Sequence, residues 1–392
     1  MKKRYFDYAA TAPMDKRVYR AMKPFLTNRF ENSNSVYENG IANAKAIKEA
    51  RRIIADQLVT NPENIFFTSG ATESNNWAIK GFVTKKTKEL GRLIKIAYSP
   101  LDHDSVINSV KFCEKYFDAK GLQVPIDKKR GCIDTVRFQF MMTEEKPDIF
   151  ILTWANNELG TVEELPYLVN MAKAANKDMF IHVDATQALP HYPVVIKSLE
   201  ELGISSLACS AHKIGGPKGV GLLWLRDKDK NVEPLIIGGS QESGLRGGTS
   251  NTAAIVGFAT ALENYDYDRI RRHYGVMGTY LILKLKELLS DYVNTSFTID
   301  NLTDVDVTGI VNLYLPFESS GVVALLDSRG FEVSSGSACT GDGERSHVLD
   351  ALDKDGSRGL RIAITPKATH KDIDKLVNSL HQCLYVYGML RF

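Results

Sequence analysis

Two side chains set the chemical question. Lys213 leaves a predicted strand in Cys209-Ser210-Ala211-His212-Lys213-Ile214-Gly215-Gly216-Pro217-Lys218-Gly219, where small residues give a long amine little to pack against. Taken alone it is an ordinary surface lysine ahead of a Gly-Pro turn. Among such neighbours it is also suited to forming an imine where a flat ring must come close. Asp184, in His182-Val183-Asp184-Ala185-Thr186-Gln187, ends another predicted strand 29 residues earlier (213 − 184). That is about one strand–helix unit, so neighbouring parallel strands would bring acid and amine to one C-terminal sheet edge.

An acid that keeps a ring nitrogen protonated and a lysine that forms an imine are what a pyridoxal phosphate enzyme requires. Its phosphate needs backbone N–H groups at a helix start. Thr68-Ser69-Gly70-Ala71-Thr72-Glu73-Ser74-Asn75 has that form: a strand ends, Gly70 permits close approach, and a helix opens with hydroxyls. By itself it resembles any capped helix. No G-x-G-x-x-G follows the first strand and no G-x-x-x-x-G-K-[ST] occurs, so dinucleotide and P-loop readings have no support.

Of five scattered cysteines, Cys113, Cys132, Cys209, Cys339 and Cys383, none forms a C-x-x-C pair, which argues against a disulfide framework or zinc site. Cys339 stands apart, in Ser334-Ser335-Gly336-Ser337-Ala338-Cys339-Thr340 followed by Gly341-Asp342-Gly343-Glu344-Arg345. That composition predicts a mobile, exposed loop and suits a buried structural thiol poorly. A thiol there can reach a substrate and then swing outward. Cys113 and Cys383 fall in helical segments, Cys209 at a strand end and Cys132 in a turn.

The elements that would position these groups alternate strand and helix. Strands are predicted at Ile65–Thr68, Ile94–Tyr98, Leu122–Ile126, Asp148–Thr153, Met179–Val183, Ser206–Ser210 and Val220–Leu225, most of them continuously apolar. Such runs mark strands covered on both faces, as in a mostly parallel α/β sheet. Gly40 to Leu58 carries Ile47, Ala50, Ile54 and Leu58 at helical spacing, with Pro62 as its stop. From Asn251 a long helical stretch is predicted to about Leu289, then strands at Ser296–Ile299, Ile310–Leu315 and Arg361–Ile364 and a closing helix near Lys371–Tyr387. The expected division is a large domain over residues 15–260 and a smaller α+β domain formed by 1–14 and 261–392.

The 392 residues, 44% hydrophobic with 49 basic against 47 acidic side chains, describe an ordinary soluble globular protein. The balance gives no electrostatic reason to expect nucleic acid or acidic membranes. No apolar run approaches the roughly 18 residues of a membrane span, and Met1-Lys2-Lys3-Arg4 has no apolar segment behind it to make a secretory signal. The expected compartment is the cytoplasm.

Over nearly its whole length the chain resembles the cysteine desulfurases of the NifS/IscS group, within the class V aminotransferase-like PLP enzymes. The resemblance is carried by Asp7-Tyr8-Ala9-Ala10-Thr11-Ala12-Pro13, Phe67–Asn75, Asn156-Asn157-Glu158-Leu159-Gly160, Asp184–Gln187, Ser210–Lys213, Leu245-Arg246-Gly247-Gly248-Thr249-Ser250-Asn251 and Ser334–Thr340. It implies the aspartate aminotransferase-like fold, fold type I, and pyridoxal 5'-phosphate held as an imine by Lys213. It further implies Asp184 at the pyridine nitrogen, Gln187 and Asn157 at the ring hydroxyl, and His103 stacked on the ring. Ala71, Thr72, Ser210 and His212 would hold the phosphate, with Thr249 given by the partner subunit of a homodimer. Arg361, in Gly359-Leu360-Arg361-Ile362, would clamp the substrate carboxylate, a task that suits a fork of N–H donors; Arg358 is the second candidate.

The activity so implied converts L-cysteine to L-alanine. Lys213 carries the proton, and Cys339 takes the sulfur as a persulfide for an acceptor protein. Rival readings are a selenocysteine lyase or other class V enzyme, in which Cys339 is dispensable, and a catalytically silent scaffold. Relative to the family, Ser33 replaces a usual proline, Tyr37 and Gly247 replace a histidine and a serine, and Ala363 follows the arginine where serine is usual. These departures leave the acceptor open among iron–sulfur scaffolds, tRNA-thiolation enzymes and DNA phosphorothioation systems.

Overall fold

Strand after strand in the first two-thirds of the chain is apolar at consecutive positions, and the sheet they build is covered by helices on both sides. The structure is a computed structural model that describes residues 3–226, 232–290, 298–300, 309–336 and 345–389. Its first part runs β1 (Arg4–Tyr5), α1 (Lys16–Thr27), α2 (Glu38–Leu58), β2 (Ile65–Thr68), α3 (Ala71–Leu90), β3 (Ile94–Tyr98), α4 (Asp104–Tyr116) and β4 (Ala119–Gln123). There follow β5 (Ile126–Asp127), β6 (Cys132–Ile133), α5 (Thr135–Glu145), β7 (Ile149–Thr153), α6 (Leu165–Ala175), β8 (Phe180–Asp184), α7 (Ile196–Leu202), β9 (Ser206–Ser210) and β10 (Gly221–Leu225). The remainder is α8 (Thr252–Glu263), α9 (Tyr267–Ser290), β11 (Thr298–Asp300), β12 (Ile310–Tyr314), α10 (Ser320–Ser328), β13 (Phe331–Glu332), α11 (His347–Ala351), β14 (Gly359–Ala363) and α12 (His370–Met389).

Seven strands form the main sheet in the order β2-β10-β9-β8-β7-β3-β4. β10 pairs antiparallel with both β2 and β9, and the other pairings are parallel. Alternate residues go to opposite faces. Phe67, Phe150, Leu152, Ile181, Val183, Leu207 and Leu222 join one core with α1, α2, α6 and α8. Phe66, Ile149, Ile151, Phe180 and Leu223 join the other with α3 and α4. On β8 the second face therefore carries Phe180, His182 and Asp184 in succession, which aims a buried imidazole and a buried carboxylate at α3.

A separate core gathers Phe6, Leu281, Leu285, Leu313, Leu326, Leu360, Ile362 and Leu380. β11-β12-β14 form its antiparallel sheet, and β1 pairs parallel with β13. The first strand of the chain thus belongs with elements from its last third.

Several local readings differ from expectation. The strand sought at Leu122–Ile126 lies at Ala119–Gln123, because Pro125 offers no ladder donor and β4 is a half-buried edge strand. α2 ends at Leu58, four residues before Pro62, where Val59 turns left-handed with φ 53° and its N–H closes on Ala55 and Asp56. The helical stretch from Asn251 consists of two helices, separated at Asn264-Tyr265-Asp266, where the Asp266 carboxylate accepts from the Arg269 N–H and starts α9 afresh. Cys132, expected in a turn, lies in β6. Ser296 and Phe297 of the predicted Ser296–Ile299 strand, and Cys339, lie outside the described residues.

Candidate active site

The C-terminal ends of β2, β3, β7, β8 and β9 open into one cavity of about 520 Å³, lined among others by Ala71, Thr72, His103, Asn157, Asp184, Gln187, Ser210, His212, Lys213 and Arg361. Thr249, assigned to a phosphate from sequence, is exposed and lies outside this cavity. Arg358 does not line it either and pairs with Asp355 at 3.2 Å.

Asp184 is the last residue of β8 and Lys213 sits in the 3₁₀ turn Ala211–Ile214 after β9. The register places Asp184 opposite Ala208, so the crossover between the strands returns the chain beside its starting point. Lys213 Nζ donates to Ala9 O at 2.5 Å and Ala10 O at 3.1 Å. The N-terminal segment thereby forms a wall of the lysine's surroundings, held by Ala12 N–H to His212 O and Asp15 N–H to Gly215 O, both 2.9 Å. Gly215, with φ +78°, allows the reversal after the lysine. His212 accepts or donates at Thr11 Oγ1 over 3.1 Å, and burial, helped by Lys213 and Lys218, lowers its pKa to about 4.

The anion cradle is the start of α3. Gly70 precedes it with φ +156°, and a Cβ on Gly221 would lie 2.7 Å from Gly70 backbone, so β10 crosses where only hydrogen fits. Thr68 Oγ1 and Ser74 Oγ, 2.8 Å apart, tie the turn together, and Ser74 also reaches Leu222 O at 2.9 Å. Backbone N–H groups at Ala71 and Thr72 are left for a ligand, at the end of a 20-residue helix that favours negative charge.

Arg361 is 1% exposed, as little as an apolar core residue. Nη2 donates to Asp7 Oδ1 at 2.7 Å and Nη1 to Asn157 O at 3.0 Å, while Nε is buried without a partner. Thr186 Oγ1 and Gln187 Oε1, in the same wall, are also buried and unpartnered. Groups of this kind cost a folded protein free energy unless something binds them. The donors fit a carboxylate at Arg361 and a phosphate at α3, and the Asp184 carboxylate fits a protonated ring nitrogen. Pyridoxal 5'-phosphate bears the last two features, so the residues present fit it.

Sequence reasoning missed several contributors. Asp7, quoted only as part of a motif, holds Arg361, and Asn75 bonds Asp184 Oδ2 at 2.7 Å. Both lay inside recognisable motifs, but nothing in a sequence tells which motif residue faces which partner.

Beside the cavity, Asp102 and Glu163 line a second, water-sized hollow. Burial pushes Asp102 up to about 7 and Glu163 up to about 8, against donated bonds from Ser99 and Thr153 N–H to the first and Ile133 N–H to the second. Carboxyls whose folded pKa is raised add stability at low pH and lose it as pH rises through the folded value. The stability of Glu163→Gln relative to wild type is therefore expected to grow between pH ~5 and ~8, by up to about 1.4 kcal/mol per unit. Urea titrations at several pH values check this, and a pH-independent difference would refute it.

The aminotransferase class-V profile matches residues 4–376. A cysteine desulfurase IscS of Dictyoglomus turgidum is 37% identical over 354 residues, covering 89% of this chain and 85% of that protein. Cysteine desulfurase IscS 1 of Archaeoglobus fulgidus is 34% identical, covering 96% of this chain and 95% of its own. Among solved structures, a NifS-like protein superimposes with TM-score 0.83 at 30% identity, over 98% of this chain and 100% of that one. A structure titled SspA in complex with cysteine does so with TM-score 0.76 at 32% identity, over 94% and 100%. With a profile match spanning all but its ends and relatives of that likeness over nearly full length, this chain belongs to the aminotransferase class-V family, in its cysteine desulfurase branch.

Proposed function

We propose that the protein converts L-cysteine to L-alanine and passes the released sulfur, through a persulfide on Cys339, to an acceptor protein. The observation that carries this reading is the convergence of Asp184, Lys213 and Arg361 on one cavity. When bound, pyridoxal 5'-phosphate supplies an aldehyde for amines and a ring that accepts the electron pair released at the substrate α-carbon.

The chain's residues have separate tasks. Asp184 holds the proton on the ring nitrogen. Asn157 and Gln187 hold the ring hydroxyl and His103 covers a face. Ala71, Thr72, Ser210 and His212 bind phosphate. Lys213 Nζ takes the α-proton and returns it, since its position after β9 leaves it at the cavity wall. Arg361 orients the substrate carboxylate. The Cys339 sulfur attacks the substrate sulfur: an S–S bond forms, the Cβ–S bond breaks, and the carbon keeps that electron pair and gains a proton to become alanine. No outside oxidant is needed.

Covalent geometry supports the thiol's reach. Ser334 pairs with Arg361 through backbone bonds of 2.7 and 3.2 Å. Cys339 lies five residues beyond (339 − 334), at most about 17 Å along an extended chain.

We also propose a homodimer in which Thr249 serves the partner's phosphate site. Phe30, Val36 and Ile237 are 74%, 89% and 89% exposed and so offer apolar surface to a partner. The two-domain division near residue 260 is supported by the separate cores. No described helix is long and apolar enough to cross a membrane, and we place the protein in the cytoplasm. The acceptor is one of the three kinds named from sequence.

The proposal is tested by assaying alanine formed from L-cysteine by the purified, cofactor-loaded protein. Arg361→Lys should raise KM for cysteine about 10- to 100-fold with a smaller change in kcat, because it keeps the charge and loses the fork. An unchanged KM would remove Arg361 from the substrate site.

A further inference from the structure

One buried amide, just behind the cavity wall, connects Asp184 to His103. Asn75 Nδ2 lies 2.7 Å from Asp184 Oδ2 and 2.9 Å from Ser105 Oγ. Its Oδ1 lies 2.9 Å from His182 Nε2, whose Nδ1 is 2.8 Å from Ser206 Oγ. Ser105 Oγ is in turn 2.9 Å from His103 Nδ1, which also accepts from the Ser105 backbone N–H at 3.1 Å. Asn75, Ser105, His182 and Ser206 are all buried.

Donor counting fixes the protons. The Asp184 carboxylate accepts one N–H of the Asn75 amide, and the second N–H goes to Ser105 Oγ. Having accepted, Ser105 donates its single proton to His103 Nδ1. That nitrogen, taking two donated bonds, keeps its lone pair, and the neutral ring carries its proton on Nε2. On the other side, Asn75 Oδ1 accepts, so His182 bears hydrogen on Nε2 and accepts from Ser206 at Nδ1. Burial lowers the His182 pKa to about 4, against the pull of Asp184, so the ring stays neutral.

We propose that Asn75 is a positioning residue that fixes the hydrogen-bonding roles on both sides of the cavity, donating to Asp184 Oδ2 while the Thr186 N–H serves Oδ1, and holding His103, through Ser105, in its Nε2–H form. This rests on the reading that the cofactor ring lies between Asp184 and His103. Asp184 acts electrostatically on His182, Asp102 and Cys209, while Lys213 and Arg361 share its cavity. None of these can replace the amide's two donated bonds at their present positions.

The test compares wild type, Asn75→Asp, Asn75→Ala and Ser105→Ala. Each holoenzyme is stripped and retitrated with pyridoxal phosphate from mildly acid to mildly alkaline pH, and the His103 ring nitrogens are followed by ¹⁵N NMR. Asn75→Asp has the same size but sets a second carboxylate against Asp184. It should bind the cofactor about 10- to 100-fold more weakly at neutral pH. It should also recover as pH falls, because a proton shared by two carboxyls restores a donor. Asn75→Ala should bind better than Asn75→Asp at neutral pH, with little pH dependence. A space-filling role predicts the reverse order and no recovery in acid.

Ser105→Ala should keep cofactor affinity within about threefold while the His103 Nδ1 resonance shifts, because that nitrogen loses the hydroxyl bond and keeps only the one from the residue-105 backbone N–H. Wild-type affinity in Asn75→Asp, weaker binding by Asn75→Ala than by Asn75→Asp, or an unmoved His103 spectrum in Ser105→Ala would overturn the proposal. A wild type that binds no pyridoxal phosphate would instead overturn the reading beneath it.

Discussion

Lys213→Ala is expected to cut alanine formation from L-cysteine by at least about 1,000-fold, since one substitution removes both the imine-forming amine and the proton carrier, and general acid–base catalysis alone contributes roughly 100- to 10,000-fold. The fold should survive. The amine donates to the Ala9 and Ala10 carbonyls, bonds whose loss costs on the order of 1 kcal/mol each. Borohydride treatment followed by peptide mass spectrometry should find the reduced cofactor at residue 213 in wild type and nowhere in the variant. A variant within tenfold of wild type, or a reduced adduct at another lysine such as Lys218, would end the assignment.

Cys339→Ala is the second large effect. Alanine release from L-cysteine should again fall by about 1,000-fold or more, with cofactor binding intact, and no persulfide should form anywhere in the chain. Three other thiols are poor substitutes on physical grounds. Cys113, Cys209 and Cys383 are buried, and burial pushes the Cys113 thiol up to about 12 and raises the other two, so none is a thiolate at neutral pH. Cys132 is half-buried in β6, outside the residues that line the cavity. Retained turnover of cysteine in Cys339→Ala would refute the relay and return the chain to the selenocysteine lyase reading.

Most of the sheet was legible because its strands are short apolar runs between turn residues. Ile65–Thr68, Ile94–Tyr98 and Ser206–Ser210 are found at the predicted limits. Strand direction was not legible. β10 is as continuously apolar as its parallel neighbours, and its reversal follows from the connection out of β9, residues 211–220, which is too short for a helical crossover. Lys213 and Asp184 were legible because their spacing matches one strand–helix unit. Asp7, Asn75 and Ser105 were not, because their roles depend on contacts across 354, 109 and 30 positions of chain. A hub of that kind has no periodicity and no local signature.

The pairing of β1 with β13 and the Ala9 and Ala10 carbonyls over the lysine have a bearing on biosynthesis. While the ribosome is still making residues before about position 332, β1 has no partner strand, although the segment behind it can already pair with His212 and Gly215. Docking of β1 is therefore a late step, which closes the smaller core after the strands of the central sheet have been made. An appendage fused ahead of Arg4 would press on that last closing step and leave the central sheet untouched.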